Sequence, residues 1–171
     1  MNHFDEILSV GDLRSIGQSN KVVSLINNQN NFDELFQQLF HQDRKVVMRA
    51  ADAIEKITLK NPVYLKKHKD KILLLCNKAK DKELKWHLAL IIPRLSLNKK
   101  EFGWAWQILT NWVKDKKESR IVRVNSLQAL FVLLPQNKEL MQDFNLTIEE
   151  IANENIPSLN ARIKKLKNDH R

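Results

Sequence analysis

Apolar residues recur along this chain at separations of three and four, the period of an amphipathic helix. Phe32, Leu35, Phe36, Leu39 and Phe40 fall on one such face, and Val46, Ala50, Ala53 or Ile54, and Ile57 on the next. Leu65, Ile72, Leu75, Cys76 and Ala79 form a third, with Lys66, Lys67, Lys69, Lys71, Lys78 and Lys80 mostly turned outward.

Polar and proline punctuation predicts where these helices begin and end. Short helices are expected at 3–9 and at 21–27, the second capped by Ser19 or Asn20, with Asp12-Leu13-Arg14-Ser15 in a turn between Gly11 and Gly17. Asn31 with Glu34 reads as a capping box, Asp43 as the cap of the helix holding Val46–Ile57, and Asn61-Pro62 as another start. Helices are further expected at 83–95, where Pro93 tightens or bends the last turn, at 99–114, and at 119–134, stopped by Pro135. Thr147-Ile148-Glu149-Glu150 reads as a capping box opening a short helix. Ile156-Pro157 opens a terminal one ending in Lys164, Lys165 and Lys167.

The second helices of successive pairs share a register of 38 residues. Ile54, Ile92 and Leu130 align without gaps, as do Val46, Leu84 and Val122, and Ile57, Leu95 and Leu133. Ala51, Ala89 and Leu127 follow, with Ala53, Ile91 and Ala129. A period near forty built of two helices is the mark of an α-solenoid, in which one pair cannot cover its own apolar faces and so pairs stack. Residues 159–163 are a degenerate further copy.

Arg49-Ala50-Ala51-Asp52-Ala53-Ile54, preceded by Val46-Val47 and Asp43, resembles the second helix of a HEAT repeat. Asp12-x-Arg14-Ser15-x-Gly17, Met48–Lys56 and Lys85-Trp86-His87-Leu88 with Pro93-Arg94-Leu95 resemble small bacterial HEAT-like-repeat proteins of undefined function. The resemblance covers most of residues 12–134. It departs at Glu55, where a glycine is common, and at Leu88 and Ser126, where alanine is typical. It implies an all-α, right-handed α-solenoid of about four helical hairpins whose second helices line an inner binding surface. A single domain over 1–171 is expected, with a capping region at 1–30 and repeats near 20–58, 62–96, 99–134 and 139–168.

Composition narrows the picture. With 3 Gly and 4 Pro, long helices joined by short loops are favoured over a many-stranded sheet. No apolar run reaches the length of a membrane span and no secretion signal opens the chain, so a cytoplasmic protein without membrane partners is expected. Cys76, the one cysteine, follows Leu73, Leu74 and Leu75 and reads as a buried, inert thiol. The net charge of +9 is local: 12 basic against 3 acidic residues lie within 59–100, giving that segment +9 by itself. An anionic partner fits this excess, and so do solvated faces filled by the chain's 21 Lys and 17 Asn.

Candidate working residues follow from the register. Arg49, His87 and Asn125 occupy equivalent positions, with Arg162 near the same place in the last copy; Asp52, Leu90 and Gln128 align, and Lys56, Arg94 and Val132 one turn later. Lys85 and Arg123 are equivalent on the same flank. The expected inner surface therefore holds Arg49, Asp52, Lys56, Lys85, Trp86, His87, Arg94, Arg123 and Asn125 as partner-binding residues. Against this stand internal roles: an ordinary Asp52–Lys56 helix pair, Arg49 bonded to neighbouring loops, and a satisfied His87. Trp104 and Trp112 lie on one packing stripe, while Trp106 falls elsewhere on the helix.

No catalytic residue, cofactor or metal site is expected: no His or Cys pair has ligand spacing, and no phosphate-cradling glycine loop or nucleophile elbow is present. The leading expectation is a non-enzymatic adaptor that binds a protein or peptide along its second helices. The alternative is nucleic-acid binding through the basic 60–123 region. A third reading comes from the DNA alkylation-repair glycosylases, which HEAT-like repeats also build around a groove with a carboxylate and aromatics. This chain is short for that, and no tryptophan is expected to pair with an aspartate across a groove.

Overall fold

The computed structural model describes residues 3–10 and 18–169, and all regular structure among them is helical. The helices are α1 (His3–Ser9), α2 (Ser19–Leu25), α3 (Gln29–Gln37), α4 (Arg44–Lys60), α5 (Lys69–Lys78), α6 (Lys82–Ile91), α7 (Lys99–Lys114), α8 (Arg120–Leu133), α9 (Met141–Ala152) and α10 (Pro157–Asp169). The expected turn between Gly11 and Gly17, with the Asp12-x-Arg14-Ser15 motif, lies outside the described residues. The chain divides into two compact units, Met1–Asp70 and Lys71–Arg171. The division falls inside the second expected repeat.

In the first unit α4 is the centre. Helices α1, α2 and α3 and the 3₁₀ segments Gln38–Phe40 and Pro62–His68 all pack on it. Its N-terminus is fixed as expected by Asp43, whose carboxylate accepts the Lys45 N–H at 2.8 Å. His41 Nδ1 in turn accepts the Asp43 N–H at 2.9 Å. Leu8, Val22, Phe32, Leu35, Phe36 and Ile54 are fully buried around it.

In the second unit α8 takes the central place, packed by α6, α7 and α10, while α9 packs on α7 and α10. Asn98 and Glu101 form a reciprocal capping box at the start of α7, with bonds of 3.0 and 2.8 Å. Ser119 caps α8 through the Val122 N–H. Pro93 and Pro135 each sit in a short 3₁₀ turn, Ile92–Arg94 and Leu134–Gln136, that closes α6 and α8. The missing proline N–H removes one i→i−4 bond, and the chain tightens instead of continuing.

All fifteen positions of the five aligned sets are buried: each of Val46, Ala51, Ala53, Ile54 and Ile57, and each counterpart 38 and 76 residues on. The register read from apolar spacing is the register of the core.

Several expected boundaries move. Helix α2 starts at Ser19, which is buried and bonded to Asp52, so Ser19 is no cap. Helix α3 is capped by Asn28, whose side chain accepts the Asn31 N–H at 2.9 Å. Asn31 is therefore inside the first turn, its amide donating to the Leu25 carbonyl. Thr147 does not open a helix but lies fully buried within α9. Phe144, Ile148 and Ile151 show why: the apolar face runs unbroken through it. Phe40 is 49% exposed, because the change to 3₁₀ winding at Gln38–Phe40 turns it off the stripe of Phe32 and Phe36. Ala79 is half-buried.

Candidate functional site

The 38-residue register places the candidate residues on α4 in the first unit and on α6 and α8 in the second. Their polar ends meet different fates, decided by what each neighbouring segment offers.

In the first unit, Arg49 is fully buried on α4. Its Nη1 donates to the Leu8 carbonyl oxygen and to the Val10 carbonyl oxygen, both at 2.6 Å. These carbonyls lie at the C-terminal end of α1, where a helix has unsatisfied acceptors and favours a cation. Asp52 is nearly buried as well. Its Oδ2 accepts from Ser19 Oγ at 2.5 Å and from Lys56 Nζ at 2.6 Å, and Lys56 Nζ also donates to Asn20 Oδ1 at 2.8 Å. The Asp52–Lys56 pair thus staples α4 to the first turn of α2.

A second polar cluster of this unit was not singled out by the sequence. His68, almost fully buried, stacks on Phe36 at 3.9 Å between ring centres, and its Nε2 lies 2.6 Å from Asp33 Oδ1. Burial raises the Asp33 carboxyl, but the hydrogen bonds from Gln29 and His68 and the charges of His68 and Lys67 outweigh it, so the group ends below its ordinary value. The His68 Nδ1 is buried without a hydrogen-bond partner.

In the second unit, Arg123 is buried at the start of α8. Its Nε donates to the Val113 carbonyl at 2.7 Å, at the end of α7, while Nη1 and Nη2 donate to the two carboxylate oxygens of Glu154 at 2.9 and 2.8 Å. The planar fork fits the carboxylate in the bidentate manner that lysine cannot reproduce. This bonding, more than the opposing cost of burial, holds the Glu154 carboxyl below its ordinary value. Lys85, equivalent to Arg123 one repeat earlier, pairs with Glu118 and lies 5.9 Å from the centre of the Trp112 ring. At both positions a cation at the start of a second helix reaches an acid in the turn leading into the next one.

The expectation of a partner-binding inner surface is therefore corrected for Arg49, Asp52, His87 and Arg123, all of them buried, and the internal roles set against it describe Arg49 and the Asp52–Lys56 pair. Lys56 and Lys85 are partly covered and paired. Trp86, Arg94 and Asn125 remain half-exposed, as do Leu90 and Gln128, the latter accepting from Arg162 Nη1 at 2.6 Å. Ile121 and Val132 on α8 are 43% and 47% exposed. Ile121, Asn125, Gln128 and Val132 follow one another at four, three and four residues, a single face of α8. Trp86 and Leu90 on α6, which packs alongside, and Arg94 in the 3₁₀ turn that closes it follow one another at four and four residues.

The tryptophans of α7 pack as their stripe suggests, but one of them has a partner that was not expected. Trp106 is buried, stacks on Phe102, and donates its Nε1–H to Asp143 Oδ2 at 2.7 Å, so a tryptophan–aspartate pair does exist. It ties α7 to α9 and holds a ring inside the structure. Trp112 is buried and Trp104 half-buried. Glu118, Glu154, Ser19 and Asp143, the partners that define these polar sites, carry no helical-face signal. Among the described residues no group of His, Cys, Asp and Glu is arranged to hold a metal, and no helix is long and apolar enough to cross a membrane.

Paired helices whose second members carry one buried register at 38-residue intervals define a helical-hairpin repeat protein. The chain belongs to the HEAT repeat domain family, whose sequence profile matches residues 5–169. No curated protein and no solved structure matches the chain.

Proposed function

We propose that the chain is a binding module without chemistry of its own, and that the face of α6 and α8 in the second unit receives a protein or peptide segment. The observation that carries this reading is the pairing of exposed apolar and amide side chains on α8. Ile121 and Val132 flank Asn125 and Gln128, and Trp86 and Leu90 lie on the neighbouring helix, with Arg94 in the turn that closes it. Apolar side chains and a tryptophan interleaved with amides and one arginine match the mixed composition of a protein interface. HEAT repeat membership agrees, since such repeats commonly present their second helices to partners, though the fold alone names no partner. Of the residues expected from sequence to touch a partner, this reading keeps Trp86, Arg94 and Asn125 as contacts. It gives Arg49, Asp52, Lys56, Lys85, His87 and Arg123 the role of holding the helices that present them.

Photo-crosslinking from position 125, compared with position 74 on α5, tests the reading in cells. The expected result is a discrete protein adduct at 125, absent at 74 and lost on Ile121→Glu/Val132→Glu. Equal adducts at both positions, or an adduct indifferent to the double substitution, overturns it.

A further inference from the structure

One edge of the second unit gathers cations, most of which form no ion pair within the fold. The chain turns from α5 into α6 through Lys78, Ala79, Lys80, Asp81 and Lys82, and from α7 into α8 through residues 115–119 and Arg120. The Lys85–Glu118 ion pair bridges the start of α6 and the turn before α8, so these two turns lie side by side. Lys78, Lys80, Lys82, Lys116, Lys117 and Arg120 are all exposed along this edge. Among the described residues, Lys78, Lys80, Lys82, Lys117 and Arg120 form no side-chain ion pair.

The carboxylates nearby are already engaged. Glu118 is held by Lys85 and Glu154 by Arg123; Asp115 Oδ1 accepts the Lys117 backbone N–H, and Asp81 and Glu83 have partners. The first turn of α8 contains no acid to offset Arg120. Lys78, in the last turn of α5, suits that helix's dipole, and Glu83 offsets Lys82 in the first turn of α6, but Arg120 at the start of α8 opposes its dipole uncompensated. A local rule broken without internal compensation is the pattern expected of a working surface.

We propose that this edge binds the phosphodiester backbone of a nucleic-acid strand. Lysine is depleted at protein interfaces, which are built around desolvated aromatic and apolar groups. None of the described residues of these turns is an exposed aromatic, and the exposed large apolar side chains nearest in sequence are Leu74, one turn before Lys78, and Ile121. Lysine ammonium groups are point charges suited to phosphates, where contacts position a strand without reading its sequence. The proposal concerns the turns at one end of α6 and α8 and does not depend on the partner reading of their lateral face.

The test is fluorescence anisotropy with a labelled 20-nucleotide single-stranded RNA, its DNA counterpart and a labelled polyglutamate of equal length, over a series of salt concentrations. Wild type is expected to bind RNA or DNA at low salt, with log affinity falling linearly against log salt by about 0.7 per phosphate contacted. Lys80→Glu/Lys117→Glu is expected to weaken binding by at least about tenfold and to flatten the slope by about one to two. Lys99→Glu/Lys100→Glu, the same change in charge at the start of α7, is expected to shift affinity less than about twofold. The proposal is overturned if no nucleic acid binds at low salt, if polyglutamate binds as tightly as RNA or DNA, or if both double variants weaken binding equally.

Discussion

Arg123 and Glu154 form a two-toothed ion pair, with both guanidinium ends on both carboxylate oxygens at 2.9 and 2.8 Å. Their side chains are only 2% and 12% exposed, and the pair joins the start of α8 to the turn between α9 and α10. Removing one partner leaves the other buried without a counter-charge. Glu154→Ala is expected to destabilise the protein by about 3 kcal/mol in urea unfolding, and Arg123→Met/Glu154→Leu by distinctly less.

The same pair sets a pH dependence. Glu154 titrates below its ordinary carboxylate value in the folded chain. Its contribution is therefore complete above the unfolded value of about 4.3 and is lost as pH falls through the lower folded value. The stability difference between wild type and Glu154→Gln is expected to be constant from pH 6 to 8 and to shrink below about pH 4. A difference that grows on acidification contradicts the pairing.

Arg49 holds α1 through the carbonyls of Leu8 and Val10. Arg49→Met keeps most of the buried volume but leaves two acceptors without their donor, and is expected to cost about 2–4 kcal/mol. Hydrogen exchange localises the loss: amides of α1 are expected to exchange faster, while those of α8 keep their protection relative to global unfolding.

Two backbone positions give opposite signs. Gly103 lies exposed inside α7, and a Cβ added there meets no heavy atom within 4 Å. Gly103→Ala is expected to stabilise the protein by about 0.5–1 kcal/mol. Asn155, at φ 54°, takes the left-handed conformation just after Glu154. Asn155→Gly is expected to be nearly neutral and Asn155→Val to cost about 1–2 kcal/mol, both read from thermal or urea unfolding.

Cys76 is buried and free, and burial pushes its thiol well above the ordinary range. A disulfide reagent at pH 8 is expected to leave it unmodified in the native state and to react fully once the chain is unfolded in urea. Rapid native labelling contradicts the packing of α5.

The sequence alone determined the helices and the register of their cores. Three- and four-residue spacing marks burial directly, because an apolar side chain leaves water whichever neighbour covers it. Asp43, Pro93 and Pro135 were legible for the same reason: a cap and a missing N–H act within a few residues. Competing caps were less so. Asn28 and Asn31 carry the same side chain, and only the completed turn chose between them.

What tertiary structure alone decided was the fate of the polar residues on the second helices. Arg49 and Arg123 look exposed in a helical projection, yet their acceptors lie 41, 39 and 31 residues away for Leu8, Val10 and Glu154, and 10 away for Val113. A charged group can be buried only where specific partners replace its water, and nothing in a local pattern announces such partners. The same logic left Ile121 and Val132 in solvent and gathered the lysines of two turns onto one edge, because side-by-side packing of α6 and α8 is a relation between segments 38 residues apart.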